Sequence, residues 1–274
     1  MSPAGAGRVV RMLSNTVLGN RDYREMVLDA PELAAAARPG QFVHVRLPGA
    51  IDPFLRRPFS VAGADGGRLS IVYKRVGRLT SRMATLRPGA ELDVFGPRGH
   101  GYRLEPPVAS HAILAGGGYG AAPLLYLARA LRDLKLATRI TLLVGAGTAS
   151  EFLWGDRLEA EASWLEAAFA TDDGSHGFKG TVLDLLETRL PRPATGVRLC
   201  ACGPMAMLAG LAKRWPAVRA EVAAEARMGC GMGVCQGCVL PMRGGAGVSR
   251  YARICRDGPV FDARRVDWPA ALEA

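Results

Sequence analysis

Lysine is almost missing from this chain. Of 35 basic residues only Lys74, Lys135, Lys179 and Lys213 are lysine, and the rest are arginine. No run of about five or six like charges occurs, so the net charge of +10 is spread along the sequence. That excludes a basic nucleic-acid-binding tail and leaves an arginine-rich solvated surface that attracts phosphate-bearing ligands or an acidic partner. No apolar stretch reaches the roughly 18 residues of a membrane span, so no membrane association is expected. Met1–Gly7 lacks a charged region followed by an apolar core, so no secretion signal is expected. Internal repeats and low-complexity linkers are absent from the sequence. Six cysteines are present, four of them grouped beyond residue 229. Cys200 and Cys202 stand one residue apart on an apolar run, a spacing unsuited to pairing. The expected compartment is reducing and cytoplasmic.

What is present divides by pattern. A chain of 274 residues, 49% hydrophobic, has room for about two domains and a small third module. Residues 1–104 read as β. Val9–Leu13, Tyr23–Leu28, Gln41–Leu47, Leu69–Lys74 and Leu92–Phe95 are short runs with β-branched or aromatic bulk, punctuated by Pro39-Gly40, Gly66-Gly67, Pro88-Gly89 and Gly96-Pro97. Such punctuation predicts a small antiparallel barrel, with a short helix over Thr80–Leu86 crossing one end. Within it, Arg57-Pro-Phe-Ser60 sits at a strand entrance. Arg57 offers a planar fork for a phosphate, Pro58 fixes the backbone, and Phe59 and Ser60 are expected to line a flat ring.

Residues 105–219 change to alternating β and α, which predicts a doubly wound parallel sheet. His111–Ala115 is a buried strand, followed by Gly116-Gly-Gly-Tyr-Gly120 and a helix with Pro123 in its first turn. Gly116, Gly118 and Ala121 fit G-x-G-x-x-A, the layout that sets a pyrophosphate at a helix start. Arg139–Val144, Leu165–Ala170 and Val197–Ala201 are further strands. Helices are expected over Glu151–Ala160, Thr181–Thr188 and Met205–Ala212. Gly116–Gly118, Thr171–Gly174 and Cys202–Pro204 therefore share the carboxyl edge of one sheet, where such sheets bind ligands. The tip of the second strand, Gly145-Ala-Gly-Thr148, carries neither the acidic residue expected for a ribose nor an arginine for a 2′-phosphate. The missing arginine favours NAD over NADP.

Residues 220–274 hold the most specific signal. Cys230, Cys235 and Cys238 have C-x4-C-x2-C spacing, the plant-type [2Fe–2S] run, and Cys255 can supply the fourth thiolate. Gly229, Gly231, Gly233 and Gly237 alternate through the loop, permitting positive φ and close approach of N–H groups to sulfur. Zinc sites more often show two C-x2-C pairs.

These residues together resemble the electron-transfer subunits of dihydroorotate dehydrogenase B, within the ferredoxin-reductase-like superfamily. The matching pieces are Arg57–Ser60, Val72-Tyr-Lys74, Gly96-Pro97, Gly116–Gly120 with Pro123, Thr171–Ser175, Cys202-Gly-Pro204, Arg227–Cys238 and Cys255–Phe261, in the family's order. The resemblance implies a flavin β-barrel, a nucleotide-binding α/β domain and a small cluster module. FAD would be held by Arg57, Pro58, Phe59, Ser60, Val72, Tyr73, Lys74, Leu79 and Thr80. NAD would lie on Gly116, Gly117, Gly118, Gly120, Asp172, Cys202, Gly203 and Pro204. Leu79 replaces the family's glycine and is expected to crowd the flavin pyrophosphate. Cys202 stands beside the nicotinamide or simply packs there; the packing role is the expected one. Asp172 and Asp173 are read as loop-shaping, and His100 and His176 as solvent-facing. NADH gives electrons in pairs and the cluster takes them singly, so the flavin stands between them. The implied partner is an FMN-containing catalytic subunit in pyrimidine biosynthesis, in a heterotetramer of two of each. The alternatives are a reductase serving an oxygenase and a zinc-binding interaction protein.

Overall fold

The computed structural model describes residues 7–19, 22–153, 155–190, 194–244 and 250–273. Residues 1–6, where no secretion signal was expected, lie outside them.

The first strands are β1 (Arg8–Leu18), β2 (Tyr23–Asp29), β3 (Phe42–Arg46), β4 (Arg57–Asp65), β5 (Arg68–Lys74) and β6 (Glu91–Arg98). They close into an antiparallel barrel in the order β1-β2-β5-β4-β3-β6. Alternate residues point inward, so Met12, Met26, Val43, Val45, Val61, Leu69 and Ile71 fill one core. Four of the five expected strands fall inside observed ones, and the fifth, expected over Gln41–Leu47, is observed one residue shorter at each end as β3. The sixth, β4, begins at Arg57, so the Arg-Pro-Phe-Ser motif lies within the strand. Helix α1 (Pro31–Ala36), started by a proline in its first turn, was not anticipated. Helix α2 (Arg78–Ala84) begins two residues before the expected start at Thr80. Asp93 on β6 is buried and takes hydrogen bonds from Arg46 Nε at 2.6 Å and Arg56 Nη2 at 2.7 and 2.8 Å. Burial opposes ionisation there, but the two guanidinium groups outweigh it and hold the carboxyl below its usual value.

The second layer contains β7 (Ala109–Gly117), α3 (Ala121–Asp133), β8 (Ala137–Ala146), α4 (Gly155–Ala160), β9 (Leu165–Thr171), β10 (Phe178–Lys179), α5 (Val182–Arg189), β11 (Val197–Cys202), α6 (Met205–Arg214) and β12 (Ala220–Ala223). The chain ends with a hairpin of β13 (Val239–Met242) and β14 (Arg250–Arg253), then α7 (Ile254–Asp257), β15 (Val260–Asp262) and α8 (Trp268–Glu273). Seven strands form one sheet, β10-β9-β8-β7-β11-β12-β15. Its pairs are parallel except β12 with β15. Helix α3 packs on one face with Leu124, Leu127 and Leu131, while α5 and α6 pack on the other through Leu186, Leu208 and Leu211. The sheet does not stop at residue 219: β12 and β15 bring the C-terminal segment into it. The helix expected over Glu151–Ala160 is shorter, starting at Gly155 behind a 3-10 turn at Ala149–Glu151. Barrel and sheet are joined by Arg157, whose guanidinium meets both oxygens of the buried Glu25 at 2.8 and 2.5 Å.

Candidate redox site

A cleft of 370 Å³ opens between the barrel and the carboxyl edge of the sheet. Tyr23 and Lys74 form its barrel wall. Gly117, Gly118, Gly145–Gly147, Asp172, Gly203 and Pro204 form its sheet wall. The three loops expected at one edge do converge there. Gly118 has φ +55° and nothing within 4 Å of where a side chain would begin, so the loop presents bare backbone to the cleft. Gly116 and Gly120 instead face Ala121 and the Cys202 carbonyl at distances that admit no side chain. Cys202 is buried, and burial pushes its thiol well above the usual range, as Glu225 also does to a smaller extent. It is a neutral packing residue beneath the loop. Asp173 accepts from Ser175 N and Oγ and shapes its loop, as expected, whereas Asp172 lines the cleft. His176 packs edge-on against Phe152 and Phe169, so its ring is engaged in an aromatic contact as well as meeting solvent. His100 serves through its backbone, donating to Gly258 O.

Strand alternation sorts the flavin motifs. Pro58 and Ser60 on β4, and Val72 and Lys74 on β5, are on the outer faces. Phe59 and Tyr73 point inward and pack edge-on, 6.1 Å between centroids, in the barrel core. The expectation that the Phe59 ring lines a flat ligand is therefore corrected: the β pleat turns it inward, leaving only its backbone outside. Leu79 is also corrected. Its side chain is buried in the barrel core and does not crowd the start of α2. The Thr80 hydroxyl accepts the N–H groups of Val76 and Gly77 at 3.0 Å, closing the helix start. Arg57 is exposed and donates to the carbonyls of Leu55 and Arg56.

The four cysteines of the last module fall into two pairs. Cys230 Sγ accepts the N–H groups of Met232 and Cys235, each at 3.4 Å. Cys238 Sγ accepts from Cys255 N at 3.5 Å. Burial works against a Cys230 thiolate, but the N–H groups of Cys235, Met232 and Val234 outweigh it and hold its pKa down to about 6. Cys255 is pushed up to about 12, by burial first and by Cys238 second. Gly231 and Gly233 adopt φ +68° and +83°, which turns the loop back on itself. Among the described residues no three His, Cys, Asp or Glu side chains converge as a single metal ion requires. Two thiol pairs suit a two-iron cluster, which takes two thiolates per iron, better than one tetrahedral zinc. The donor set thus fits the cluster.

Three cleft residues escaped the sequence reading. Glu151 supplies the carboxylate that the tip of β8 lacked, accepting from Gly147 N at 3.0 Å and standing 3.9 Å from Lys74 Nζ. The tip therefore has an acidic group, brought back by the 3-10 turn. Glu225 and Tyr119 meet at 3.3 Å. Glu225 stays reachable by solvent, but the protein around it raises its carboxyl above the usual value, and the Tyr119 bond offsets part of that. Neither position carries a spacing signal, because the pair joins residues 106 apart.

A family profile described as the iron-sulfur cluster binding domain of dihydroorotate dehydrogenase B matches residues 225–267. The chain is 38% identical over 256 residues to the "Dihydroorotate dehydrogenase B (NAD(+)), electron transfer subunit" of Bacillus caldolyticus, covering 92% of this chain and 95% of that protein. It is 38% identical over 248 residues to the same-named protein of Desulforamulus reducens, covering 89% and 92%. Among solved structures, an NADH-dependent reduced ferredoxin-NADP oxidoreductase chain superposes with TM-score 0.80 at 26% identity, over 98% of this chain and 93% of that one. A ferredoxin NADP+ reductase from Neisseria gonorrhoeae with bound FAD and NADP shares the fold, with TM-score 0.62 at 17% identity over 74% and 87%.

Proposed function

The chain belongs to the family of dihydroorotate dehydrogenase B electron-transfer subunits, and from that premise we propose how its residues divide the work. It is an NAD-dependent flavin and iron–sulfur oxidoreductase subunit, with FAD, a [2Fe–2S] cluster and NAD as cofactors. When bound, these groups supply hydride exchange, conversion of electron pairs to single electrons, and single-electron exit. The observation that carries the assignment is the pairing of the four thiols in one module of a chain whose barrel and glycine-bearing sheet loops together line one cleft.

The chain's own contribution is holding and spacing. Cys230, Cys235, Cys238 and Cys255 hold the cluster. Arg57 pairs with the flavin phosphate. Pro58, Ser60, Val72 and Lys74 wall the ring from the barrel side, with Phe59, Tyr73, Leu79 and Thr80 contributing backbone. Gly116, Gly117, Gly118, Gly120, Asp172, Cys202, Gly203 and Pro204 seat NAD. The division into 1–104, 105–219 and 220–274 is functional: flavin, nucleotide and cluster. The partner is a catalytic subunit carrying FMN, in a heterotetramer of two of each, in the cytoplasm. Its docking surface is the exposed apolar face made by Met232, Val234, Val239 and Tyr251 beside the cysteines. Arg253 Nη1 bonds Gly233 O at 3.2 Å and ties the loop to the β13–β14 hairpin, making one surface of the two.

The test is reconstitution. Purified alone, the chain oxidises NADH with artificial acceptors and forms no orotate. Mixed with the FMN subunit, NAD-dependent dihydroorotate oxidation appears. Orotate production by the lone chain, or no gain on mixing, would overturn the reading; reduction of an oxygenase partner in its place would make the chain an oxygenase reductase.

Arg57 and Arg56 give a second check. Arg57→Ala removes the group able to pair bidentately with a phosphate, a charge-assisted bond of roughly 1.5–3 kcal/mol, and FAD should be lost during gel filtration. Arg56→Ala removes a partner of Asp93 and should lower thermal stability while retaining FAD. Equal flavin content in the two variants would contradict the assignment.

A further inference from the structure

His44 sits on β3 with no exposed surface, and neither of its ring nitrogens has a hydrogen-bond partner. A buried imidazole left so is costly, on the order of 1–3 kcal/mol per unsatisfied group, and calls for a physical reason. Its surroundings supply one. A side chain added at Gly231 would begin 2.7 Å from His44 Cε1 and 2.8 Å from both Nδ1 and Nε2. The three distances are nearly equal although Cε1 lies between the two nitrogens, so that point sits over the face of the ring: the imidazole lies flat against the cluster loop at the residue after Cys230, with both nitrogens on its rim beside the loop. Arg98 Nε reaches the Gly231 carbonyl at 3.4 Å, fixing the peptide there. In the barrel, His44 lies directly across from Pro58 of the Arg-Pro-Phe-Ser motif, and Phe42 lies across from Ser60. Residues opposite one another in an antiparallel pair share a face. Phe42 also packs in the same apolar cluster as Cys238 and Cys255. One outer patch of the barrel thus carries the flavin motif on β4 and touches the cluster module through β3.

We propose that His44 is a positioning residue for the cluster, donating a ring N–H to a cluster sulfur beside Cys230 and fixing the cluster's distance from the flavin strand. Burial, with Arg56, Arg57 and Arg98 nearby, lowers the His44 pKa to about 4, so the ring is neutral at pH 7 and carries one N–H. Hydrogen bonds to cluster sulfurs stabilise the more negative reduced form and raise the potential. The inference rests on the cysteine assignment above.

The experiment uses holoprotein labelled with 15N-histidine and reduced with dithionite, read by pulsed EPR. A weak histidine-nitrogen coupling to the cluster spin should be present, persist in His100→Gln and vanish in His44→Gln. His44→Phe keeps the shape and removes both nitrogens. It should retain iron and FAD, while the electron distribution moves about tenfold from cluster to flavin, a fall of 59 mV for a one-electron couple. A cluster signal without histidine coupling, or an unchanged potential in His44→Phe, overturns the proposal. Absence of iron or of the reduced-cluster signal in the unmodified protein would instead sink the cysteine assignment, and this inference with it.

Discussion

Replacing Cys235 with serine will strip the iron from the protein and leave its flavin in place. Cys235 is the exposed member of the first thiol pair, and its own N–H already bonds Cys230 Sγ. The substitution removes one of four ligands and leaves the loop backbone intact. Loss of outer-shell partners alone costs about 10–100-fold in metal affinity or activity, so loss of a ligand should exceed that. The barrel core shares no residue with the apolar cluster around Cys238 and Cys255, so FAD content should not change. NADH will still bleach the flavin absorbance, while electron delivery to the catalytic partner falls on the order of a hundredfold or more. Iron analysis and partner-coupled turnover check it together. Normal values for both would show that Cys235 is not a ligand.

The second large effect concerns docking. Met232 and Val234 are 37% and 73% exposed, side by side on the cluster loop, and Val239 and Tyr251 extend the apolar face along the hairpin. Central apolar residues of an interface are worth at least about 2 kcal/mol each when they are hot spots, on the order of 30-fold in Kd. Met232→Asp with Val234→Asp removes two such contacts and buries two charges without partners. Both side chains are exposed and neither is a ligand, so the visible spectrum should match the parent protein. Titration against the catalytic subunit should show binding weakened by two orders of magnitude or more, on the order of the product of the two single losses. Unchanged affinity would move the docking surface elsewhere.

Local pattern carried most of the architecture. The barrel strands and βα units were readable because period-2 and period-3.6 patterns are properties of neighbouring residues. The cysteine run was readable because its ligands are spaced by chemistry. What escaped was long-range. Strand β15 is three residues long and exists only because Val222 of β12 lies opposite Phe261. Glu151 reaches Gly147 through a 3-10 turn that no periodicity marks. The direction of the Phe59 ring follows from where the strand starts: β4 begins at Arg57, ahead of the motif's aromatic residue, and the pleat alone turns the ring inward. The orphaned nitrogens of His44 could not be seen at all, since burial and missing partners are properties of the folded chain.

The return of Val260–Asp262 to the edge of the nucleotide-binding sheet has a consequence for biogenesis. Cys255 lies on the short path from the hairpin to that strand, so the fourth thiolate is held between the hairpin, through Cys238, and the sheet edge, through β15 on β12. Iron retention is therefore expected to depend on a completed second layer, and the brown colour of a preparation would then be a stamp of correct maturation. A nascent chain stopped before residue 260 presents β12 as an uncovered edge, a template for aggregation. For the same reason the cluster module cut at residue 219 carries β12 and β15 with it, and a working graft needs a host sheet whose last parallel strand will accept β12 as β11 does.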